Sequence, residues 1–173
     1  MSGQENHKEK YRNYILVITG LAVFNFLFLG TEYFFDDRMA ELVPADRVVW
    51  AQSIILTVSA AGFLVYPILK RYRGSRQGMV MQIISGVICM LSIWMMTGNR
   101  SERSLLIWGC MFFLFAGMFG SKVHDQAADI LKNSNHMALM VGTAYAAGLL
   151  LQFVNNNLIT DNRIQASMLL IFV

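Results

Sequence analysis

The sequence has 173 residues, of which 55% are hydrophobic and only 14% are charged, with a formal net charge of +3. Its apolar residues occur in runs of about 20, a length that crosses a bilayer and excludes an ordinary soluble domain. The cations lie between these runs and not along one solvated face, so the positive charge does not indicate nucleic-acid binding.

The sequence has few motifs of the kinds that bind metals or cofactors or catalyse reactions. Cys89 and Cys110 fall inside apolar runs, where a thiol packs as a small hydrophobe, so we expect no disulfide framework and no metal site. The sequence has no glycine loop of the phosphate-binding kind and no nucleophile placed beside a base. We therefore expect no enzymatic activity and no cofactor.

The predicted elements follow in chain order. Residues 1–13 are polar and predict an uncleaved cytoplasmic tail, and residues 14–173 predict a bundle of transmembrane helices. The segment after the first span is mainly acidic and is predicted to be an external loop. The predicted spans cover residues 14–33, 48–69, 78–97, 105–125 and 137–158, with a partial span at 164–173. The helix of the fourth span is expected to continue past the bilayer.

The loop after the second span predicts the orientation of the chain in the membrane. Lys70, Arg71, Arg73 and Arg76 stand between two apolar runs. A cation at the centre of a bilayer costs roughly 2.5 to 3.5 kcal/mol on insertion scales, and short basic loops stay on the cytoplasmic side. This pattern predicts a cytoplasmic amino terminus, in the inner membrane of a bacterium.

The sixth apolar run begins near Ile164 and stops at Val173. Ten residues of helix reach about 15 Å, half of what a crossing needs. Either the run is an interfacial stub or the chain is a fragment cut inside a transmembrane helix, and we favour the fragment.

Three stretches resemble the amino-terminal half of the major facilitator superfamily. The first is the loop between spans 2 and 3. The second is the end of span 4 with its polar loop, and the third is the small-residue segment GTAYAAGLLLQ in span 5. The matching residues in the first two stretches are Gly62, Lys70, Arg71, Arg73, Gly74, Arg76, Gly117, Gly120 and Asp129.

The resemblance implies an all-α membrane protein with five complete transmembrane helices and a partial sixth. Spans 1, 2, 4 and 5 would surround a central cavity, with spans 3 and 6 toward lipid. Polar side chains gather in spans 1, 2 and 5, and the candidate substrate-binding residues are Asn25, Gln52, Ser53, Tyr145 and Gln152. For Asn25 the other interpretation is a hydrogen bond between helices.

A second group of candidates lies at the cytoplasmic ends of the helices and would form a gate or inner loop. It contains Arg71, Arg73, Gly74, Arg76, Lys122, His124, Asp125 and Asp129. Lys122 and Asp125 are three residues apart and can pair on one helix face. Histidine changes charge near neutral pH, which suits a proton-linked gate. The plainer interpretation is a solvated helix end.

The expected function is secondary active transport of small solutes by alternating access. The expected partners are the lipid bilayer, a small-molecule substrate and a carboxy-terminal helical bundle of the same protein, with no nucleic acid. One alternative is a sensory membrane domain that binds without transporting, since the basic loop lacks the acidic residue that the family carries there. Another is a small membrane scaffold complete at five spans.

Overall fold

A computed structural model describes residues 2–72, 75–132, 134–159 and 161–173, with side chains from residue 11 onward except those of residues 72–79. Within these ranges the regular structure is helical throughout and comprises six helices. They are α1 (Ser2–Ala40), α2 (Ala45–Tyr72), α3 (Ser75–Gly98), α4 (Glu102–Leu131), α5 (Met137–Leu158) and α6 (Asn162–Phe172).

Five of the described helices are long and apolar enough to cross a membrane. Large apolar side chains cover their outer surfaces, among them Leu64 and Leu158, which are each 71% exposed. Such surfaces are unfavourable in water and are solvated by lipid tails in a bilayer. The chain therefore has the features of a multi-pass membrane protein, and α6, with 11 residues, is too short to cross.

The helices extend beyond the predicted spans because hydropathy marks only the apolar part of each helix. α1 begins at Ser2, so the segment predicted as a tail is helical, and α1 also continues through the predicted external loop as far as Ala40. The remaining connection to α2 is residues 41–44, closed by Pro44. As expected, α4 continues past its apolar stretch and ends at Leu131.

The two ends of the bundle differ in charge. We call the end where α2 finishes with Lys70 and Arg71 the basic end; α4 also finishes there and α5 begins there. The opposite end carries the connections 41–44 and 99–101, the end of α5 and the start of α6. Lys70 lies beside Asp125 at the basic end, and Arg47 lies 3.2 Å from Glu102 at the opposite end, so α2 and α4 run side by side in the same direction.

Glycines bring α2 and α4 into backbone contact. A Cβ atom added at Gly117 would lie 2.2 Å from the carbonyl oxygen of Ser59, and one added at Gly62 would lie 2.2 Å from that of Leu114. Neither position has room for a methyl group. Close approach through small residues is the usual way that helices associate in lipid, where the hydrophobic effect does not draw them together.

α5 packs along α1 in the same manner. A Cβ atom at Gly148 would lie 2.7 Å from the carbonyl oxygen of Ala22 and 2.7 Å from Cβ of Asn25. Gly148 therefore lies in a close helix contact. Gly142, on the same helix, does not, because a Cβ atom there would meet nothing within 4 Å.

The contacts between helices repeat in two groups of three. α2 packs on α4, and α5 packs on α1; α3 packs on α4, and α6 packs on α1; α1 and α4 pack on each other. If α1, α2 and α3 exchange places with α4, α5 and α6 respectively, the main contacts between helices stay the same. α1 and α4 hold the centre of the bundle, and residues 21–31 of α1 are buried or half-buried throughout.

Candidate functional site

The four helices α1, α2, α4 and α5 meet at an aromatic cluster near the basic end. We define this cluster as Phe24 of α1, Phe63 of α2, Phe119 and His124 of α4, and Tyr145 of α5. The Phe24 ring centroid lies 5.6 Å from that of His124, 6.1 Å from that of Phe63 and 6.5 Å from that of Phe119. Edge and tilted contacts at these distances are favourable for aromatic pairs.

Two hydrogen bonds hold the His124 imidazole. Nδ1 lies 2.7 Å from the carbonyl oxygen of Gly120, and Nε2 lies 2.8 Å from the hydroxyl of Tyr145. A carbonyl only accepts, so Nδ1 carries the hydrogen, and in the neutral ring Nε2 accepts from the Tyr145 hydroxyl. The two bonds therefore hold the imidazole between its own helix and α5.

Gly120 makes room for this cluster. A Cβ atom at Gly120 would lie 2.3 Å from Cζ of Phe24 and 2.7 Å from Cζ of Phe63. The glycine also supplies the carbonyl that accepts from His124 one turn later along α4. Position 120 thus sets both the ring packing and the orientation of the imidazole.

The charged candidates at the basic end join α2 to α4. Nζ of Lys70 lies 2.5 Å from Oδ2 of Asp125. The predicted partner of Asp125 was Lys122, three residues earlier, and the structure instead gives Asp125 the lysine of the neighbouring helix. Asp129 pairs with Lys132, the residue that follows α4, at 3.7 Å, and both side chains are exposed.

Two of the predicted substrate-binding residues lie on the seam between α1 and α5. Asn25 is buried against Gly148, and its Nδ2 atom has no hydrogen-bond partner among the described residues. Gln152 is also buried, one turn beyond Gly148 on α5. One further turn along lies Asn155, whose side-chain amide nitrogen and oxygen are both buried without a partner in the described part of the chain.

The two candidates on α2 lie nearer the opposite end. Gln52 donates to a carboxylate oxygen of Glu32 at 2.9 Å and so links α2 to α1. Ser53 is exposed and donates to the carbonyl oxygen of Val49 in its own helix at 2.8 Å. The five predicted substrate-binding residues are thus spread along the bundle, and only Tyr145 belongs to the aromatic cluster.

Several basic-loop candidates carry no structural description. Arg73 and Gly74 lie outside the described residues, and Arg76 is in the first turn of α3 but outside the residues with described side chains. Arg71 is exposed in the last turn of α2. The gating role predicted for this loop stays a prediction.

Sequence reasoning missed the phenylalanines of the cluster and the partner of Asp125. Phe24 and Phe63 carry no distinguishing signal, because phenylalanine is common in apolar spans. Lys70 was visible only as part of a stop signal, and it is 55 residues away from Asp125 along the chain. Among the described residues, no group of three or more His, Cys, Asp or Glu side chains could hold a metal ion.

No protein-family model, curated protein or solved structure matches the chain. Its function is therefore argued from the geometry of its own residues.

Proposed function

We propose that this chain is one half of a secondary transporter of the major facilitator type, which moves small organic solutes by alternating access. The observation that carries the proposal is the exchange relation between α1–α3 and α4–α6, in which each triplet packs on the first helix of the other. α2 and α4 run in the same direction, and α1 runs opposite to α2, to which residues 41–44 join it, so α1 and α4 are antiparallel. In the proposed arrangement the two triplets, with α6 as far as it is described, are related as an inverted repeat. Inverted repeats of three helices are the building units of such transporter halves.

The unpartnered faces of α2 and α5 support a second bundle as partner. On α2, Ser53, Thr57 and Ala61 form an exposed stripe of small residues. On α5, the exposed positions Ala138, Gly142 and Ala146 form a stripe with the same spacing. Small residues spaced four apart on one helix allow another helix to approach closely. Inside this bundle, Gly62 of α2 and Gly117 of α4 likewise allow close approach. A carboxy-terminal bundle packed on these faces would complete the transporter.

The aromatic cluster supports an organic solute as the substrate. Tyr145 is 38% exposed while its hydroxyl contacts His124, so the cluster is open on the α5 side. Aromatic faces bind apolar or cationic groups, and the His124–Tyr145 pair supplies one hydrogen-bonding position beside them. A solute with an apolar face and one polar group fits this surface better than an inorganic ion does.

The proposal places the basic end in the cytoplasm. Lys70, Arg71, Lys122 and Lys132 lie at this end, and cations near membrane spans stay on the cytoplasmic side. The amino terminus is then cytoplasmic, as expected for a protein of a bacterial inner membrane. The solute would enter or leave past Lys70 and Asp125 when the bundle faces inward.

A flux assay tests the proposal. The protein encoded by the complete gene is reconstituted into liposomes, and uptake of a panel of amphipathic organic solutes is followed with and without a proton or sodium gradient. If His124→Ala abolishes solute accumulation and Lys132→Ala leaves it intact, the result supports transport through the aromatic cluster. If no solute of the panel binds or moves, the proposal fails.

A sensory membrane domain is the second candidate, and one observation favours it. The rings of Phe24, Phe28 and Phe113 form a continuous series of tilted and edge contacts between α1 and α4, with centroids 5.8 and 5.2 Å apart. Such packing resists the opening of a central pathway. Saturable binding of a panel solute in detergent, without any flux in liposomes, would favour this candidate over transport.

A further inference from the structure

The opposite end of the bundle contains a cavity that the proposed transport does not use. Its volume is about 770 Å³, within the size range of small-molecule sites. Three separate segments line it: the end of α1 with the residues that follow it, the end of α3 with Arg100, and the start of α6. It therefore exists only when the folded bundle brings these ends together, and it lies on the far side of the molecule from the aromatic cluster.

Three arginines face this cavity, Arg38, Arg100 and Arg163, against two carboxylates, Glu41 and Asp161. Both carboxylates are already engaged. Glu41 pairs with Arg38 through one oxygen and accepts from the Asn162 amide through the other, at 3.1 Å. Asp161 caps α6 by accepting from the backbone N–H of Arg163 at 2.7 Å.

The guanidinium groups are not all engaged. Arg100 and Arg163 form no side-chain hydrogen bond or ion pair within the described chain. Arg38 donates to Glu41 and to the carbonyl oxygen of Asn99, while its Nε–H is buried without an acceptor in the same part of the chain. The cavity is therefore lined by more cations than carboxylates, and it has guanidinium N–H groups that no acceptor in the described chain uses. This arrangement binds oxyanions, because the guanidinium fork matches the oxygens of a phosphate or carboxylate.

The depth of the cavity in the membrane limits which kinds of ligand can reach it. Thr97 and Gly98, at the end of α3, line the cavity, and one turn before them Trp94 is 68% exposed. An exposed tryptophan at the end of an apolar helix marks the level of the lipid headgroups. The arginines therefore lie where the phosphate of a phospholipid lies, and where a soluble phosphate ester can also reach them.

We propose that the cavity between the ends of α1 and α3 and the start of α6 is a phosphate-binding site, in which Arg100 and Arg163 bind the phosphate group of a lipid headgroup or of a soluble phosphate ester. Arg38 is a positioning residue, because its contacts with Glu41 and Asn99 tie α1 to the 99–101 turn. The site does not depend on transport through the bundle.

Two binding measurements on the full chain distinguish the sources. In the first, the protein is held in phosphatidylcholine nanodiscs, and binding of inorganic phosphate and of glycerol 1-phosphate is measured by equilibrium dialysis. In the second, retention of phosphatidylglycerol against phosphatidylcholine is measured by native mass spectrometry. The single variants Arg100→Gln and Arg163→Gln are each compared with Arg103→Gln, a charge-matched control at an exposed arginine outside the cavity.

We expect Arg100→Gln and Arg163→Gln each to weaken binding at least tenfold in one of the two measurements, and Arg103→Gln to change it less than twofold. Loss in the first measurement identifies a soluble ligand, and loss in the second identifies the headgroup. Equal losses in the cavity variants and in Arg103→Gln would overturn the proposal, since they would show only diffuse charge attraction. Absence of saturable binding in both measurements would also overturn it.

Discussion

The Nε2 atom of His124 lies 2.8 Å from the hydroxyl oxygen of Tyr145, and this contact joins α4 to α5 at the basic end. The backbones of these two helices barely meet, since α5 packs mainly on α1 and α4 packs mainly on α2 and α3. Beside the aromatic cluster this side-chain hydrogen bond adds to the packing of α1 on α4, and both connect the helix pairs α2–α4 and α1–α5.

Tyr145→Phe removes this bond and keeps the ring. We expect the free energy of unfolding to fall by about 0.5–1 kcal/mol, toward the lower range for one hydrogen bond because Tyr145 is partly exposed. Unfolding by dodecyl sulfate in mixed micelles measures the change. Tyr33→Phe is the matched control, because Tyr33 is exposed on α1 and its hydroxyl has no partner among the described residues. Equal effects of the two variants would show that the Tyr145 hydroxyl does not stabilise the bundle.

Gly117→Ala forces a methyl group against the backbone of α2. The added Cβ would lie 2.2 Å from the Ser59 carbonyl oxygen, so the helices must separate. We expect the free energy of unfolding to fall by about 1–3 kcal/mol, as for other overpacked sites. Gly142→Ala is the control: its Cβ meets open space, and alanine is favoured over glycine in a helix by up to about 1 kcal/mol. The prediction fails if Gly117→Ala is tolerated as well as Gly142→Ala in the same micelle titration.

Lys70→Glu places a second carboxylate beside Asp125. Repulsion should loosen the ends of α2 and α4, which hydrogen exchange of the amides in residues 66–72 would detect as faster exchange. Adding Asp125→Lys to that variant restores opposite charges and should restore protection. High salt should shrink both effects, because the Debye length is only about 3 Å at 1 M.

Lys132→Glu is the control for this exchange experiment, because in the described part of the chain Lys132 pairs with Asp129, three residues earlier, and not with α2. It should leave the exchange of residues 66–72 unchanged. A charge reversal that fails to restore protection would show that Lys70 and Asp125 are not energetically coupled.

Asn25→Ala tests whether the amide on the α1–α5 seam serves binding or stability. Its Nδ2 is buried without a partner among the described residues, and such a group typically costs about 1–3 kcal/mol. We expect the variant to keep its unfolding free energy within about 1 kcal/mol, because the relieved cost offsets the lost packing, while uptake of a transported solute falls at least tenfold. Ser85→Ala, at a buried serine that bonds to its own helix, should change neither quantity. A large loss of stability with unchanged uptake per folded molecule would make Asn25 a structural residue.

The positions of the helices could be predicted from the sequence because lipid imposes a one-dimensional constraint. A run of about 20 apolar residues has to cross the bilayer, so the predicted span 137–158 coincides with α5. The limits of α1 and α4 could not be predicted in this way. Backbone hydrogen bonding continues into the polar segments up to Ala40 and Leu131, where hydropathy has already fallen.

The lateral arrangement could not be predicted, because periodicity shows which residues share a helix face and not which helix that face meets. Lys122 and Asp125 have the correct spacing to form an ion pair. The close contact at Gly117 holds α2 against α4, however, and Lys70 of α2 pairs with Asp125 instead. The same limit applies to glycines. Gly142 and Gly148 look alike in sequence, and only the packing of α5 on α1 separates the open position from the close one.

Five helices that cross a bilayer with the basic end in the cytoplasm underlie the proposed transport, and cysteine labelling in intact cells tests that arrangement most directly. Ser101→Cys lies in the turn before α4, Asn135→Cys lies in the turn before α5, and the unsubstituted chain, with Cys89 and Cys110 inside apolar helices, serves as the blank. We expect a membrane-impermeant maleimide to label Ser101→Cys in intact cells and Asn135→Cys only after the membrane is opened. Labelling of Asn135→Cys in intact cells, or equal labelling of both variants, would contradict the arrangement.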